Sequence, residues 1–311
     1  MGTPEFAVPA LHAVARSCAL AAVVTQPDRP RGRGRQTSPS AVAVAAQPLG
    51  VTVLKPQDVN ADDVAGELGA LAADLFAVVA FGAILSPRLL GLPRIGSLNL
   101  HGSLLPDYRG ASPVQRALWD GRAATGVTTL WMDEGIDTGD LVLQRWAPIE
   151  SQDTAGTLAG RLADLGGPLL AESLLLAHAG RAPRRPQVRG AGSYARKLSK
   201  QDGDVNWALD ALTVWNHQRA VTPWPGAATA RAGRRLLVTR AWPHHLLPVE
   251  QPPGTVLAVT GEGIAVACSP GVLLMARVKP EARDEMDAAG WARGARLERG
   301  ERLEMEREAH L

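Results

Sequence analysis

Residues 97–140 read SLNLHGSLLPDYRGASPVQRALWDGRAATGVTTLWMDEGIDTGD. An apolar strand, Ile95 to Leu100, opens this stretch and delivers Asn99 and His101 to its end. Side chains alternate along a strand, so Asn99 and His101 share a face with Ser97, while Leu98 and Leu100 point the other way. Asn donates two hydrogen bonds to an oxyanion without changing protonation state, and His moves a proton near neutral pH. The pair therefore suits attack on a carbonyl-type carbon. Asp137 sits in a turn flanked by glycines, Gly135-Ile136-Asp137-Thr138-Gly139, from which it can orient the imidazole or take a proton through a water. Asp133 and Asp140 complete a polar cluster, although Asp also serves simply to cap turns. Between the two clusters, Ser103-Leu104-Leu105-Pro106 offers backbone donors and acceptors with an apolar rim, an edge for a flat heterocycle. Arg109-Gly110 then leads into Pro113–Trp119, whose apolar spacing is helical with Pro in the first turn. An isolated Asn-x-His at a strand end is commonly a satisfied polar pair, so the weight lies on the whole ordered string.

Working outward, apolar runs alternate in kind. Phe6 to Arg16 reads as a helix, Ala19 to Thr25 as a buried strand, Ala41 to Leu49 as a weak helix and Val51 to Leu54 as a short strand. Ala61 to Ala72 is a second helical run, Asp74 to Phe81 a clean apolar strand, and Leu85 to Leu90 a helical turn after Ser86-Pro87. Strands alternating with helices predict an α/β fold with a parallel, doubly wound sheet and a site at the carboxyl ends of its strands. Leu141 to Ile149 alternates as a strand, and Thr154 to Ala179 is a long amphipathic helix that Gly166-Gly167-Pro168 is expected to interrupt. Beyond Gly180, Asp204 to Arg219 reads as a helix anchored by Trp207 and Trp215. Short runs separated by Gly and Pro then predict a small β-barrel.

Composition fits a chain of two domains, each able to bury a core: 311 residues, 46% hydrophobic and 21% charged. No apolar run reaches the length of a membrane span, and no leader-like segment opens the chain. Cys18 and Cys268 are far apart and lack metal-type spacing, which reads as two reduced thiols in a cytoplasmic protein. The net charge of +2 decides little, but its distribution is uneven. Between Arg181 and Arg240 stand twelve Lys or Arg against three Asp, a basic segment suited to a polyanion. Pro27-Asp28-Arg29-Pro30-Arg31-Gly32-Arg33-Gly34-Arg35 is likewise cationic, and its Gly and Pro content predicts an exposed, mobile loop.

The ordered string Asn99-Leu100-His101-Gly102-Ser103-Leu104-Leu105-Pro106, then Arg109-Gly110, then Asp133-x-Gly135-x-Asp137-Thr138-Gly139-Asp140 resembles that of the folate-dependent formyltransferases. Gly2-Thr3-Pro4-Glu5-Phe6, Thr25-Gln26-Pro27-Asp28-Arg29-Pro30, Lys197-Leu198-Ser199-Lys200 and Pro223-Trp224-Pro225 narrow the likeness to the branch acting on methionine carried by initiator tRNA. The resemblance implies a Rossmann-like catalytic domain over residues 1–180, a basic linker over 181–201 and an OB-like tRNA-binding domain over 202–311. It implies formyl transfer from 10-formyltetrahydrofolate to the α-amine of methionyl initiator tRNA for translation initiation, by a monomer that needs no metal or membrane. By the same likeness Asn99, His101 and Asp137 are catalytic, and Ser103, Leu104, Leu105 and Pro106 bind the folate. Arg29, Arg31, Arg33, Arg35, Lys197 and Lys200 bind tRNA, with Arg33 at the key basic position of the cationic loop.

Two other readings remain open at this point. A formyltransferase for a small amine, such as an amino sugar nucleotide or glycinamide ribonucleotide, would share the central string, but needs neither the basic segment nor the Arg-rich loop. An RNA-binding protein with a retired catalytic domain would not need Asn99, His101 and Asp137 intact. One departure stands out. A domain of this kind begins with a buried apolar strand running into the Gly-Thr-Pro loop, whereas here Met1 is followed at once by Gly2. Losing an interior strand would unpair two neighbours, so the expectation is a start assigned too far downstream, with Gly2 and Thr3 set aside as site residues.

Overall fold

The computed structural model describes residues 1–31, 36–188 and 190–305, and the chain divides into two units. The first comprises Met1–Pro113, Ala124–Pro148 and Ala159–Ala195. Its strands are β1 (Val23–Val24), β2 (Val53–Leu54), β3 (Leu75–Val79), β4 (Gly96–His101), β5 (Ala124–Trp131) and β6 (Leu141–Pro148). β1 pairs with β2 and β3 with β4, both in parallel; β5 then joins β4, and β6 joins β5, antiparallel. In the order β3-β4-β5-β6, the strand carrying Asn99 and His101 has a neighbour on each side, and its backbone groups are spent on the ladders. Met1 and Gly2 lie between β1 and β3: Gly2 N donates to Val24 O (3.0 Å), and Val79 N donates to Met1 O (2.9 Å). Val24, Phe76, Val78, Phe81 and Leu89 are buried together beside this sheet, each large side chain contributing about 1.5–3 kcal/mol of burial.

Tertiary contact overrides local propensity in several places. Gly166, Gly167 and Pro168 do not interrupt the long helix, which runs unbroken from Ala155 to His178. The two glycines are instead points of close approach. A Cβ on Gly166 would lie 2.7 Å from Leu100 Cδ2, and one on Gly167 would lie 2.8 Å from the Pro9 carbonyl oxygen. The run Ala19 to Thr25 pairs only over β1. The cationic loop is partly ordered by pairing, since Arg29–Arg31 and Gln36–Ser38 form an antiparallel hairpin. Arg33 and Arg35 lie outside the described residues.

The second unit comprises Val114–Ala123, Ile149–Leu158 and the chain from Arg196. The helix expected from Asp204 begins only at Ala211 and ends at Ala220, because Val205 N donates to Ala228 O (2.8 Å) and draws residues 204–205 into extended backbone. Trp207 is nonetheless a core anchor, its indole nitrogen donating to Thr229 Oγ1 (3.1 Å), while Trp215 is only half-buried beneath the Arg219 guanidinium. Strands β7 (Ala227–Arg231), β8 (Arg234–His245), β9 (Val256–Val259), β10 (Ile264–Ala267) and β11 (Val272–Pro280) form an antiparallel sheet in the order β7-β8-β11-β10-β9. No closed barrel of strands is assigned among the described residues. Both edges are nonetheless covered by residues 300–304: Ala230 and Glu304 exchange backbone hydrogen bonds, and Val256 N donates to Glu301 O. No helix among the described residues is long and apolar enough to cross a membrane.

Candidate active site

Asn99 and His101, one pleat apart on β4, converge on one carboxylate. Asn99 Nδ2 donates to Asp137 Oδ1 (3.2 Å), and His101 Nδ1 lies 3.4 Å from Asp137 Oδ2. The Gly110 N–H donates to that same Oδ2 (2.8 Å). The imidazole is buried (6% exposed) and the carboxylate nearly so (13%), so their interaction is little screened. On its far side the ring meets the Tyr108 carbonyl, 2.8 Å from Nε2. A carbonyl only accepts, so Nε2 carries the hydrogen and Nδ1 is left facing the carboxylate. The Nδ1 lone pair and Asp137 Oδ2 thus face each other at 3.4 Å, a geometry across which a proton can pass. Asn99 spends one of its two N–H bonds on Asp137, and its amide has a second that a nearby oxygen could accept.

The turn that presents Asp137 is stapled from within. Asp133 Oδ1 accepts from Gly135 N (3.1 Å) and Thr138 Oγ1 (2.7 Å), which gives Asp133 the capping role, while Asp137 alone of the three aspartates faces His101. Gly139 admits no side chain, since a Cβ there would lie 1.9 Å from the Trp131 carbonyl oxygen. Asp137 itself has φ 55°, a left-handed conformation unfavourable for a residue with a Cβ.

Ser103, Leu104, Leu105 and Pro106 follow β4 directly, and their backbone is largely committed. Thr128 Oγ1 donates to Ser103 O (2.6 Å) and accepts from Leu105 N (3.1 Å); Gln144 Nε2 donates to Leu105 O (2.9 Å), and Asp107 N to Leu104 O (3.2 Å). What the loop leaves for a ligand is chiefly the partly exposed side chains of Leu104 and Pro106 on a rigid frame. Of the basic residues singled out in the sequence, Arg29 is exposed on the hairpin with Nη2 donating to Gln26 Oε1 (3.2 Å), and Arg31 closes that strand. Lys197 and Lys200 are exposed in the second unit.

Several groups at the site have no role that the sequence assigned. The Gly110 N–H and Tyr108 carbonyl act through backbone, and Gln187, fifty residues beyond Asp137, donates to the Asp137 carbonyl (2.8 Å). Among the described residues no group of three or more His, Cys, Asp or Glu is placed to hold a metal ion.

Residues 3–174 match the family model described as formyl transferase, and residues 197–296 match that described as formyl transferase, C-terminal domain. A relative from Anaeromyxobacter dehalogenans named methionyl-tRNA formyltransferase is 46% identical over 302 residues, covering 96% of this chain and 97% of its own. One of the same name from Moorella thermoacetica is 42% identical over 304 residues, covering 97% of each chain. The crystal structure of an N-formyltransferase from Helicobacter canadensis, in complex with folinic acid and dTDP-3-aminofucose, superposes with a TM-score of 0.64 at 18% identity. That match covers 88% of this chain and 96% of that one, and is a likeness of fold. With both family models matched in order, and relatives this similar along nearly the whole chain, the protein belongs to the formyl transferase family.

Proposed function

We propose that the protein transfers a formyl group from 10-formyltetrahydrofolate to the α-amine of methionine esterified to initiator tRNA. The observation that carries this reading is the meeting of Asn99 and His101 on the Asp137 carboxylate, in a chain whose relatives along nearly its whole length are named methionyl-tRNA formyltransferase. The amine nitrogen attacks the formyl carbon, and the carbonyl electron pair moves onto oxygen. Asn99 donates its remaining N–H to that oxyanion. The Asp137–His101 unit accepts the proton that the attacking nitrogen sheds, held between Oδ2 and Nδ1. The oxyanion then collapses, the bond to the folate nitrogen breaks, and that nitrogen takes a proton from the same unit. Formylmethionyl-tRNA and tetrahydrofolate are the products.

Within this reading Leu104 and Pro106 flank the folate. Arg29, Arg31, Arg33, Arg35, Lys197 and Lys200 neutralise tRNA phosphates, without sequence discrimination. The domain over 202–311 would then serve tRNA binding, with 181–201 leading into it. The protein works as a cytoplasmic monomer without metal. The test is formyl transfer to methionyl-tRNA by Asn99→Ala and His101→Ala, with tRNA binding measured separately. Turnover is expected to fall by roughly 10²–10⁴ while tRNA affinity is retained. Lost tRNA affinity with retained chemistry would overturn the assignment.

A further inference from the structure

The Gln187 side-chain amide is fully engaged. Its Nε2 donates to the backbone carbonyls of Asp137 (2.8 Å) and Gly139 (2.9 Å), and its Oε1 accepts from Arg109 Nε (3.1 Å) and Nη2 (2.7 Å). It therefore joins the two segments that place the central carboxylate: the turn 137–139, which bears it, and Arg109–Gly110, whose Gly110 N–H binds Oδ2. Asp137 needs such a clamp. Its φ of 55° lies in the left-handed region, sparsely populated by residues with a Cβ, and such a conformation persists only where its surroundings hold it.

Gln187 is in turn fixed from both sides. Trp131 Nε1 donates to Pro183 O (3.0 Å), the Arg184 guanidinium stacks 3.9 Å from the Trp131 ring, and Leu141 and Arg185 exchange backbone hydrogen bonds. Downstream, Ser193 O accepts from Arg109 N (2.8 Å), Ser193 Oγ from Tyr108 N (3.0 Å), and Tyr194–Ala195 pairs in parallel with Arg109–Gly110. Residues 183–188 and 190–195 thus strap the loops of the site. Only an amide can donate to two carbonyls and accept from a guanidinium at once.

We propose that Gln187 is a positioning residue for formyl transfer, holding Asp137 in register with Asn99 and His101. The proposal rests on the catalytic reading of Asp137. Two variants separate the halves of the amide: Gln187→Glu keeps an acceptor for Arg109 and loses both donations, whereas Gln187→Lys keeps donation and loses the acceptor. With the folded fraction of each checked by thermal melting, kcat, KM and the pH profile of kcat are measured for formyl transfer to methionyl-tRNA. Gln187→Glu is expected to lower kcat by about 10–100-fold, to change KM by less than about threefold, and to displace the pH profile, because the carboxylate shifts relative to the imidazole. Gln187→Lys is expected to keep a larger share of kcat than Gln187→Glu.

Asp137→Asn is run alongside. If that variant loses turnover while Gln187→Glu keeps wild-type kcat and pH profile per folded molecule, the Gln187 proposal alone is overturned and the strap is only structural. Full turnover by Asp137→Asn overturns both readings. Should Gln187→Glu fail to fold, the near-isosteric Gln187→Met, which loses both donations and the acceptor, decides: a lowered kcat per folded molecule with a displaced pH profile supports positioning, and a wild-type kcat and profile overturn it.

Discussion

Replacing Asp137 with Asn removes the central charge while leaving its backbone in place. The residue sits at φ 55°, a region Asn enters more readily than most residues with a Cβ, so the substitution spares the turn the strain that Asp137→Ala would add. Asp137 accepts at both oxygens, from Asn99 Nδ2 at 3.2 Å and from Gly110 N at 2.8 Å. An amide offers one acceptor and one donor, so whichever way it turns, its NH₂ faces another N–H. One charge-assisted hydrogen bond is lost, worth about 1.5–3 kcal/mol, and a half-buried donor is left unpaired at about 1–3 kcal/mol. That cost falls on the order of the turn. The rate suffers separately, because His101 Nδ1 then faces a neutral amide that holds no proton for transfer. Loss of a positioned acid–base group lowers turnover by about 10²–10⁴, or roughly 3–5.5 kcal/mol of barrier. The assay is single-turnover formyl transfer with saturating methionyl-tRNA from about pH 6 to about pH 9, beside a direct measurement of tRNA binding. Binding should hold within about threefold while turnover falls at every pH. Turnover within about threefold of wild type would refute the reasoning, since neither the charge nor the shared proton would then matter.

Two further outcomes follow from packing and burial. At Gly167 an added Cβ meets Pro9 backbone at 2.8 Å, whereas at Gly166 it meets the buried Leu100 side chain at 2.7 Å. Gly167→Ala should therefore destabilise by about 1–3 kcal/mol, and Gly166→Ala by less, since a side chain gives more readily than backbone and helix propensity returns about 1 kcal/mol; equal or reversed effects in denaturant melts would contradict this. In the second unit His217 is buried against Trp119, its Nε2 donating to Asp202 O (2.7 Å), and desolvation by burial holds its pKa below the ordinary 6.5. Below that pH the unfolded chain binds a proton the folded one resists, so stability present at neutral pH is lost as pH falls. Urea unfolding of His217→Gln should show a flatter dependence over this range, and an unchanged slope would exclude His217 as the cause.

The side chains that do chemistry were legible because their types are diagnostic and their spacing is local. Asn99 and His101 lie two residues apart on a strand, so alternation alone set them on one face, and Asp137 stood out between glycines. The strand β5 was not legible, since Gly126 and the threonines at 128 and 129 blur its period, yet Thr128 pins the loop after β4 through both Ser103 O and Leu105 N. The interruption expected at Gly166-Gly167-Pro168 failed because those glycines answer to Leu100 and Pro9, residues that no local window contains. The same distance hid the groups that orient the site. Gly110 contributes an N–H, Tyr108 a carbonyl and Gln187 an amide aimed at backbone, and all three depend on residues 109–110 pairing with 194–195. A catalytic side chain is read from its residue type. A backbone donor has no residue type to read, and its direction is set only once the distant strap has closed over the loop, which is why the carboxylate was visible in the sequence and the device that aims it was not.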